Sequence, residues 1–259
     1  MSDPWNPAQY GKFEREREQP FYDLLAMVRP AADMRVVDLG CGTGKLTREL
    51  HAHLQARDTM GIDRSARMLA VAGETERPAG LRFRNTTIES FPDGDCGYDL
   101  IFSNAALHWV EDHAALFGRL AAALAPHGQL AVQVPAMHDE DAHLLAEELI
   151  VTEPYRSASE GWRKPQPVLA PGDYARLMFQ LGFADPAVRL IVYPHVVAGP
   201  DDVVEWMKGT LLTEYSRHLP ADAFEQFVDE YRRRLLERLG RERPFLFPFK
   251  RILVWGQRA

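Results

Sequence analysis

The chain has 259 residues, of which 30 are basic and 37 acidic, giving a formal net charge of −7. This length corresponds to one or two domains. A hydrophobic content of 46% and a charged content of 26% are typical of a folded globular protein and exclude a mainly disordered chain. The acidic balance disfavours recognition of nucleic acid through a broad cationic face.

The cysteine content and the apolar runs indicate the cellular compartment of the protein. Cys41 and Cys96 are too few for a disulfide framework, which favours a reducing compartment. The N-terminus lacks the basic and apolar stretches of a secretory signal, and no apolar run approaches the ~20 residues that span a bilayer. We therefore expect a cytoplasmic protein that does not associate with membranes.

Strand and helix signals alternate along the first half of the chain. Short buried runs predict strands at 34–39, 59–63, 81–85, 98–104 and 129–134, and later at 187–192 and 252–255. Apolar spacing predicts helices at 21–28 (opened by Pro20), 46–54, 66–72 (with Ser65 as N-cap) and 116–124. This alternation indicates a parallel sheet with right-handed crossovers, an α/β fold.

Two further stretches look helical and form no part of that alternation. Between the last two strands, one apolar stripe contains Val203, Trp206 and Met207, and a second runs from Phe224 to Leu235, with Gly240 as a C-cap. Residues 138–182 are also predicted to be mostly helical. We predict one domain over 1–259, with a cofactor-binding core at 30–135 and helical cap segments at 137–182 and 200–240.

A glycine-rich loop follows the first strand, with glycines at 40, 42 and 44. A phosphate loop is excluded, because its first glycine position is Leu39 and its hydroxyl position is Leu46. A dinucleotide loop is weakened, because Lys45 occupies the third glycine position. The spacing fits the G-x-G-x-G loop of an adenosyl cofactor, with a tight turn that binds nothing as the alternative.

Asp63 ends the second predicted strand, 19 residues after Gly44. An acidic side chain at this place can accept hydrogen bonds from both hydroxyls of a ribose. The alternative is an aspartate that caps the helix beginning near Ser65.

These segments resemble the class I S-adenosylmethionine-dependent methyltransferases. The matching segments are 38–44, 61–63, 98–109 and 124–130. The resemblance implies a Rossmann-like sheet of seven mostly parallel strands with the last strand antiparallel, and S-adenosylmethionine as cofactor, released as S-adenosylhomocysteine. The cofactor site that it implies comprises Tyr10, Asp38, Gly40, Cys41, Gly42, Gly44, Asp63, Arg64, Met68, Thr87, Ile88 and Asn104.

Within that class, the chain most resembles the trans-aconitate 2-methyltransferases, through residues 5–10, 104–109 and 131–135 and through Trp206. The resemblance implies methyl transfer to a carboxylate of a small polycarboxylic acid such as trans-aconitate. The chain departs from the family pattern at Thr87, where an acidic residue is usual, in segment 137–171, and after Trp206, where an arginine is expected.

A carboxylate acceptor is ionised at neutral pH, so it needs cations and donors to hold it and no general base. The candidates for the acceptor site are Arg17, His108, Trp109, Trp206, Lys208 and Arg251. Each has a structural alternative: a solvated helix face for Arg17, a strand-edge charge for Arg251, and core packing for Trp109 and Trp206. His108 follows the fourth strand, where open α/β sheets bind ligands, and is the predicted catalytic residue.

Other functions remain open at this point. A phenol, amine or carbon acceptor would need His108 as a general base. A non-catalytic module that binds the cofactor needs no acceptor pocket, and an NAD-dependent oxidoreductase is disfavoured by Lys45. Segment 138–143 lacks further ligands at fixed spacing, so no metal is predicted. The expected partner is a small acid, with no nucleic acid and no membrane, in a monomer or weak homodimer.

Overall fold

The computed structural model of the chain describes residues 14–74, 78–92 and 94–259, without the side chains of 14–17 and 74. The strands are β1 Arg35–Leu39, β2 Asp58–Asp63, β3 Leu81–Asn85, β4 Tyr98–Asn104, β5 Leu124–Pro135, β6 Phe183–Val197 and β7 Phe245–Arg258. The helices are α1 Glu14–Leu25, α2 Lys45–Leu54, α3 Ala66–Glu74, α4 His113–Ala123, α5 Asp141–Ile150, α6 Tyr155–Ala158, α7 Pro171–Gln180, α8 Pro200–Lys208, α9 Leu212–Tyr215 and α10 Ala221–Leu239, with a 3-10 turn at Leu107–Trp109.

The strands form one sheet in the order β3-β2-β1-β4-β5-β7-β6. Neighbours among β1 to β5 pair in parallel, and β7 lies antiparallel to both β5 and β6. This arrangement confirms the predicted fold class. Strands β1, β2, β4 and β5 are buried along most of their length, which explains why they could be identified as apolar runs in the sequence.

Helices cover both faces of the sheet. One face packs against α4 and α7 through residues such as Phe117, Leu120 and Met178. The other face packs against α1 and α2 through Phe21, Leu24 and Leu50. The result is a three-layer α/β/α body whose parallel strands all end at the same edge.

A group of helices outside these two layers forms a cap with its own apolar core. This cap comprises α5, α6, α8, α9 and α10, and its core includes Leu145, Trp206, Phe227 and Tyr231. The Tyr231 hydroxyl donates to the Ala142 carbonyl at 2.9 Å and joins α10 to α5. Helix α7 differs from the predicted cap segment 137–182, because its buried residues belong to the core beneath the sheet.

Several local predictions can be compared directly with the structure. Ser65 caps α3, since its hydroxyl accepts from the Met68 N–H at 3.1 Å, and Gly240 follows α10 with φ +82°. The prediction for Pro20 was wrong: it lies inside α1 and does not open a helix. Proline costs about 3 kcal/mol inside a helix, more than the propensity of the preceding Glu and Arg residues offsets, so the packing of Phe21 and Leu24 in the core stabilises the helix through it.

Strands β6 and β7 are longer than the segments 187–192 and 252–255 predicted for them.

In the described part of the chain, no helix combines the length and apolarity needed to cross a bilayer.

Candidate cofactor and acceptor site

A cavity of about 390 Å³ lies between the ends of the parallel strands and the cap. Its floor is made of residues that follow β1, β2, β4 and β5, and its roof contains residues of α5, α8 and the segment between α6 and α7. Open α/β sheets bind ligands outside the carboxyl ends of their strands, so the topology itself fixes this position. The volume is in the range of small-molecule sites.

The glycine loop forms one wall of the cavity. The N–H groups of Gly40 and Cys41 both donate to the Ile62 carbonyl at 2.9 Å, which fastens the loop to β2. Gly40 has φ +78°, and a Cβ there would lie 2.2 Å from the Ala106 Cβ. Gly42 has φ +55°, and a Cβ there would meet no atom within 4 Å. The loop therefore needs glycine, and at Gly42 its backbone faces open space where a ligand can approach closely.

Asp63 lies at the end of β2 and also lines the cavity. Its Oδ2 accepts from the Gly42 N–H and its Oδ1 from the Ser65 N–H, each at 2.8 Å. A carboxylate offers about four acceptor positions, so these bonds leave room for ligand hydroxyls. The capping alternative and the ribose hypothesis are therefore compatible.

Asp38 is buried beneath the glycine loop. The Thr47 hydroxyl donates to its Oδ2 at 2.6 Å. Burial raises the pKa of Asp38 to about 7; the Thr47 bond opposes this shift, and the nearby charge of Asp63 adds to it. Asp38 thus changes charge near neutral pH at the floor of the cavity.

The other predicted cofactor residues divide into two groups. Cys41, Arg64, Met68, Ile88 and Asn104 line the cavity. Among the described residues, the buried Oδ1 of Asn104 has no hydrogen-bond partner, so it is available to a donor on a ligand. The open face at Gly42, the Asp63 carboxylate and this unmet acceptor suit a cofactor with a ribose and an amino group, and S-adenosylmethionine therefore fits this wall.

Gly44 and Thr87 also belong to the predicted cofactor set, but neither lines the cavity, unlike their neighbours Thr43, Lys45 and Ile88. Gly44 is the N-cap of α2, and a Cβ there would lie 2.5 Å from the Phe83 Cζ, so its role is packing. The Thr87 hydroxyl pairs with that of Ser90 at 3.2 Å in a turn. Tyr10 lies outside the described residues, as does the side chain of Arg17.

His108 and Trp109 lie in the 3-10 turn after β4 and line the acceptor side of the cavity. The buried Nδ1 of His108 has no hydrogen-bond partner among the described residues. Burial holds the pKa of His108 well below its ordinary value of 6.5, and the charges of Lys164 and Arg251 lower it further. His108 is therefore neutral at physiological pH, so one ring nitrogen donates and the other accepts.

Arg251 is a buried cation on β7 that reaches the same cavity. Its Nη1 donates to Gln133 Oε1 at 3.3 Å, and its guanidinium lies 4.6 Å above the Phe249 ring. The planar fork of arginine matches a carboxylate with two parallel hydrogen bonds. This side chain is therefore well suited to hold an acid in the cavity.

Trp206 and Lys208 belong to the same helix, α8, but occupy different surroundings. Trp206 is buried, lines the cavity and stacks with His195 at 5.4 Å between ring centroids. Lys208 does not line the cavity; its Nζ donates to Glu205 at 2.9 Å. The assignment of Lys208 to the acceptor site is therefore corrected, because two residues along a helix rotate a side chain by about 200°.

The cavity also contains residues that were not predicted. They include Glu18, Phe21, Thr43, Lys45 and Leu46 near the glycine loop, and Met137, His138, His143, Lys164, Gln166, Val168, Met207 and Phe249 near the cap. The apolar faces of α1 and α8 could have pointed to Phe21 and Met207. His143 and Lys164 carry no periodic signal in the sequence.

The chain is similar in sequence to known methyltransferases. The family described as "Methyltransferase domain" matches residues 36–128. The chain is 38% identical to the trans-aconitate 2-methyltransferase of Deinococcus radiodurans, over 98% of each chain. It is 36% identical to the enzyme of that name from Streptomyces avermitilis, over 96% of this chain and 95% of the relative.

Solved structures share the fold at lower sequence identity. The YcgJ protein from Bacillus subtilis is 18% identical with a TM-score of 0.62, over 93% of this chain and 99% of that one. A phosphoethanolamine N-methyltransferase from Haemonchus contortus, in complex with phosphomonomethylethanolamine and S-adenosylhomocysteine, is 16% identical with a TM-score of 0.57, over 93% of this chain and 53% of that one.

Proposed function

This chain belongs to the trans-aconitate 2-methyltransferase family of S-adenosylmethionine-dependent methyltransferases, and we propose that it methylates a carboxylate of a small polycarboxylic acid, with trans-aconitate as the leading acceptor. The observation that supports this acceptor is the charge of the wall opposite the glycine loop. Arg251 and Lys164 both line that wall, together with three histidines. Such a wall favours an anion over a neutral or cationic acceptor.

The chemistry balances without a proton transfer. Bound S-adenosylmethionine supplies an electrophilic methyl group on a positively charged sulfur. An oxygen lone pair of the carboxylate forms the new C–O bond while the C–S bond breaks and its electron pair stays on sulfur. The products are a methyl ester and a thioether, and no proton is gained or lost. The protein therefore has to align the reactants and exclude water.

Each group of residues contributes to that alignment. The glycine loop and Asp63 hold the cofactor, with the Asn104 carbonyl oxygen as a further acceptor. Arg251 holds the acceptor carboxylate, and its bond to Gln133 keeps the guanidinium in place. Neutral His108 donates a hydrogen bond to the acceptor and orients it. Trp206 closes the cavity from the cap side and limits the entry of water.

A second candidate is methyl transfer to another oxygen, nitrogen or carbon acceptor, with His108 as general base. The observation that favours it is the neutral state of His108 with its unpartnered Nδ1, which could accept a proton. A non-catalytic cofactor-binding module is less well supported, because such a protein has no need of an acceptor wall that contains Arg251.

The acceptor class can be tested with methyl-labelled S-adenosylmethionine and a panel of small molecules. The panel contains trans-aconitate, fumarate, crotonate, a simple phenol and a simple amine. We expect label in a methyl ester of trans-aconitate, identified by mass spectrometry and released by mild alkaline hydrolysis. Transfer to the phenol or amine with none to the acids would support the second candidate. Cofactor binding without transfer to any member of the panel would support the binding module.

A further inference from the structure

The segment between α6 and α7 has no regular secondary structure and lines the cavity. Residues 162–170 form neither helix nor strand, and we call residues 162–168 the strap. Lys164, Gln166, Pro167 and Val168 all line the cavity, so about half of the strap faces the proposed acceptor. Loops held by a rigid scaffold often carry binding residues.

Contacts hold the strap in place on both sides of Lys164. The Trp162 ring stacks on His218 with centroids 4.0 Å apart and planes at 9°, and it meets the Tyr215 ring edge-on at 5.3 Å. Further along, the Gln166 amide donates to the Glu147 carboxylate on α5. These contacts fix the backbone on either side of Lys164, which limits where its ammonium group can lie.

Lys164 is a half-buried cation. Burial lowers the pKa of its ammonium group, while the charges of Glu147 and Glu214 act in the opposite direction. Its Nζ donates to the carbonyl of Pro165 at 3.2 Å. Among the described residues it forms no salt bridge within 4.0 Å, so two of its three donors remain for a ligand. A half-buried cation at a cavity wall without a paired carboxylate favours an anionic ligand.

His143 lies on α5 beside the strap and lines the same cavity. Its buried Nδ1 has no hydrogen-bond partner among the described residues. Burial, with the charge of Lys164, lowers the pKa of His143 to about 3, so the ring is neutral. A buried polar atom without a partner is costly, and an acceptor with a hydrogen-bonding group would relieve that cost.

We propose that Lys164 and His143 form a second carboxylate subsite, which selects acceptors that carry a further carboxylate beyond the one held by Arg251. This inference rests on the proposed function. The charge of Lys164 acts on both His108 and His143, so the strap lies close to both sides of the acceptor wall. An acid with two or three carboxylates bridges the strap and β7, whereas a monocarboxylate reaches only one of them.

The strap offers a matched control for a test of this subsite. Arg163 is exposed and does not line the cavity, although it is the residue before Lys164. We compare Lys164→Met, Lys164→Arg and Arg163→Met, using kcat/KM for trans-aconitate and for crotonate, which has one carboxylate. Lys164→Met should lower kcat/KM for trans-aconitate by about 10–150-fold, the range for a charge-assisted hydrogen bond, and that for crotonate by less than 3-fold.

Lys164→Arg, His143→Phe and Arg163→Met provide further tests of the subsite. Lys164→Arg should recover most of the preference for trans-aconitate, and His143→Phe should lose part of it. Arg163→Met should behave like the wild type, and S-adenosylhomocysteine affinity should be unchanged throughout.

Two outcomes in Lys164→Met overturn the subsite alone: equal losses of kcat/KM for both acceptors, or no loss for either acceptor. If the wild-type protein methylates neither acid, the proposed function fails and the subsite fails with it.

Discussion

The Gly42 N–H and the Asp63 Oδ2 are 2.8 Å apart and form a hydrogen bond. This bond joins the glycine loop to the end of β2, so the two halves of the cofactor wall hold each other in place. A hydrogen bond to an ionised carboxylate is about twice as strong as one between neutral groups. The same carboxylate that we assign to the ribose therefore also shapes the loop.

Replacing Asp63 by Asn should weaken binding of S-adenosylhomocysteine by about 10–150-fold, since one charged acceptor is lost. Calorimetry on the purified protein measures this change. Asp58→Asn is the control, because Asp58 lies at the other end of β2 and pairs with Arg82 at 2.8 Å, outside the cavity. Equal affinity in Asp63→Asn and the wild type would contradict the assignment.

The buried carboxyl of Asp38 predicts a pH effect on stability. Its pKa is about 7 in the folded chain against an ordinary 3.8, so between these values the folded state holds a proton that the unfolded state has released. The contribution of this group to stability therefore falls as pH rises from about 4 to 7, by up to about 1.4 kcal/mol per pH unit.

Asp38→Asn removes that titration. Thermal unfolding without ligand should show a smaller loss of stability between pH 4 and 7 in the variant than in the wild type. Parallel pH profiles of the two proteins would show that Asp38 does not titrate in this window.

Arg251 and Lys208 provide a direct comparison between a cavity cation and one outside the cavity. Arg251→Gln should raise the KM for the acceptor by about 10–150-fold, because the carboxylate loses its charged partner. Lys208→Gln should change it by less than 2-fold, because Lys208 pairs with Glu205 away from the cavity. Steady-state kinetics gives both values, and thermal unfolding checks that each variant is folded. A larger effect at Lys208 than at Arg251 would reverse our assignment.

The order of the elements could be predicted from sequence, because β1, β2, β4 and β5 contain short apolar runs and the crossover helices have regular apolar spacing. The glycine loop and Asp63 could be picked out of the sequence for a different reason. Tight backbone geometry near a cofactor restricts the residue types that are allowed there. Lys208 could have been excluded by the same helical spacing that pointed to Trp206. The prediction failed there because it weighed charge and ignored direction.

The acceptor wall could not be predicted in the same way. Lys164 and His143 reach the cavity because the cap helices pack on one another, as the bond from Tyr231 to Ala142 illustrates. Such contacts depend on residues nearly 90 positions apart, and no local pattern encodes them. Segment 137–171 also departs from the family pattern, so the resemblance gave no guide to this wall.

His108 distinguishes the two candidate reactions. For a carboxylate acceptor it acts as a neutral donor, so His108→Gln, which keeps a donor, should retain most of kcat, and His108→Ala should lose more. Because its pKa lies well below 6.5, His108 itself should add no pH-dependent step to kcat between pH 6.5 and 8.5. Calorimetry with S-adenosylhomocysteine serves as the control for cofactor binding. If both variants fall to background while binding persists, His108 is a required base.

The central claim, methyl transfer to an ionised carboxylate, is tested most directly by counting protons. The reaction is run in weakly buffered solution near pH 6.5, where carboxylates are ionised and amino groups protonated in reactants and products alike. The protons released are titrated against the methyl groups transferred, with trans-aconitate as acceptor. Methylation of a carboxylate predicts none, whereas release of one proton per methyl group would contradict the account and indicate an acceptor that must be deprotonated.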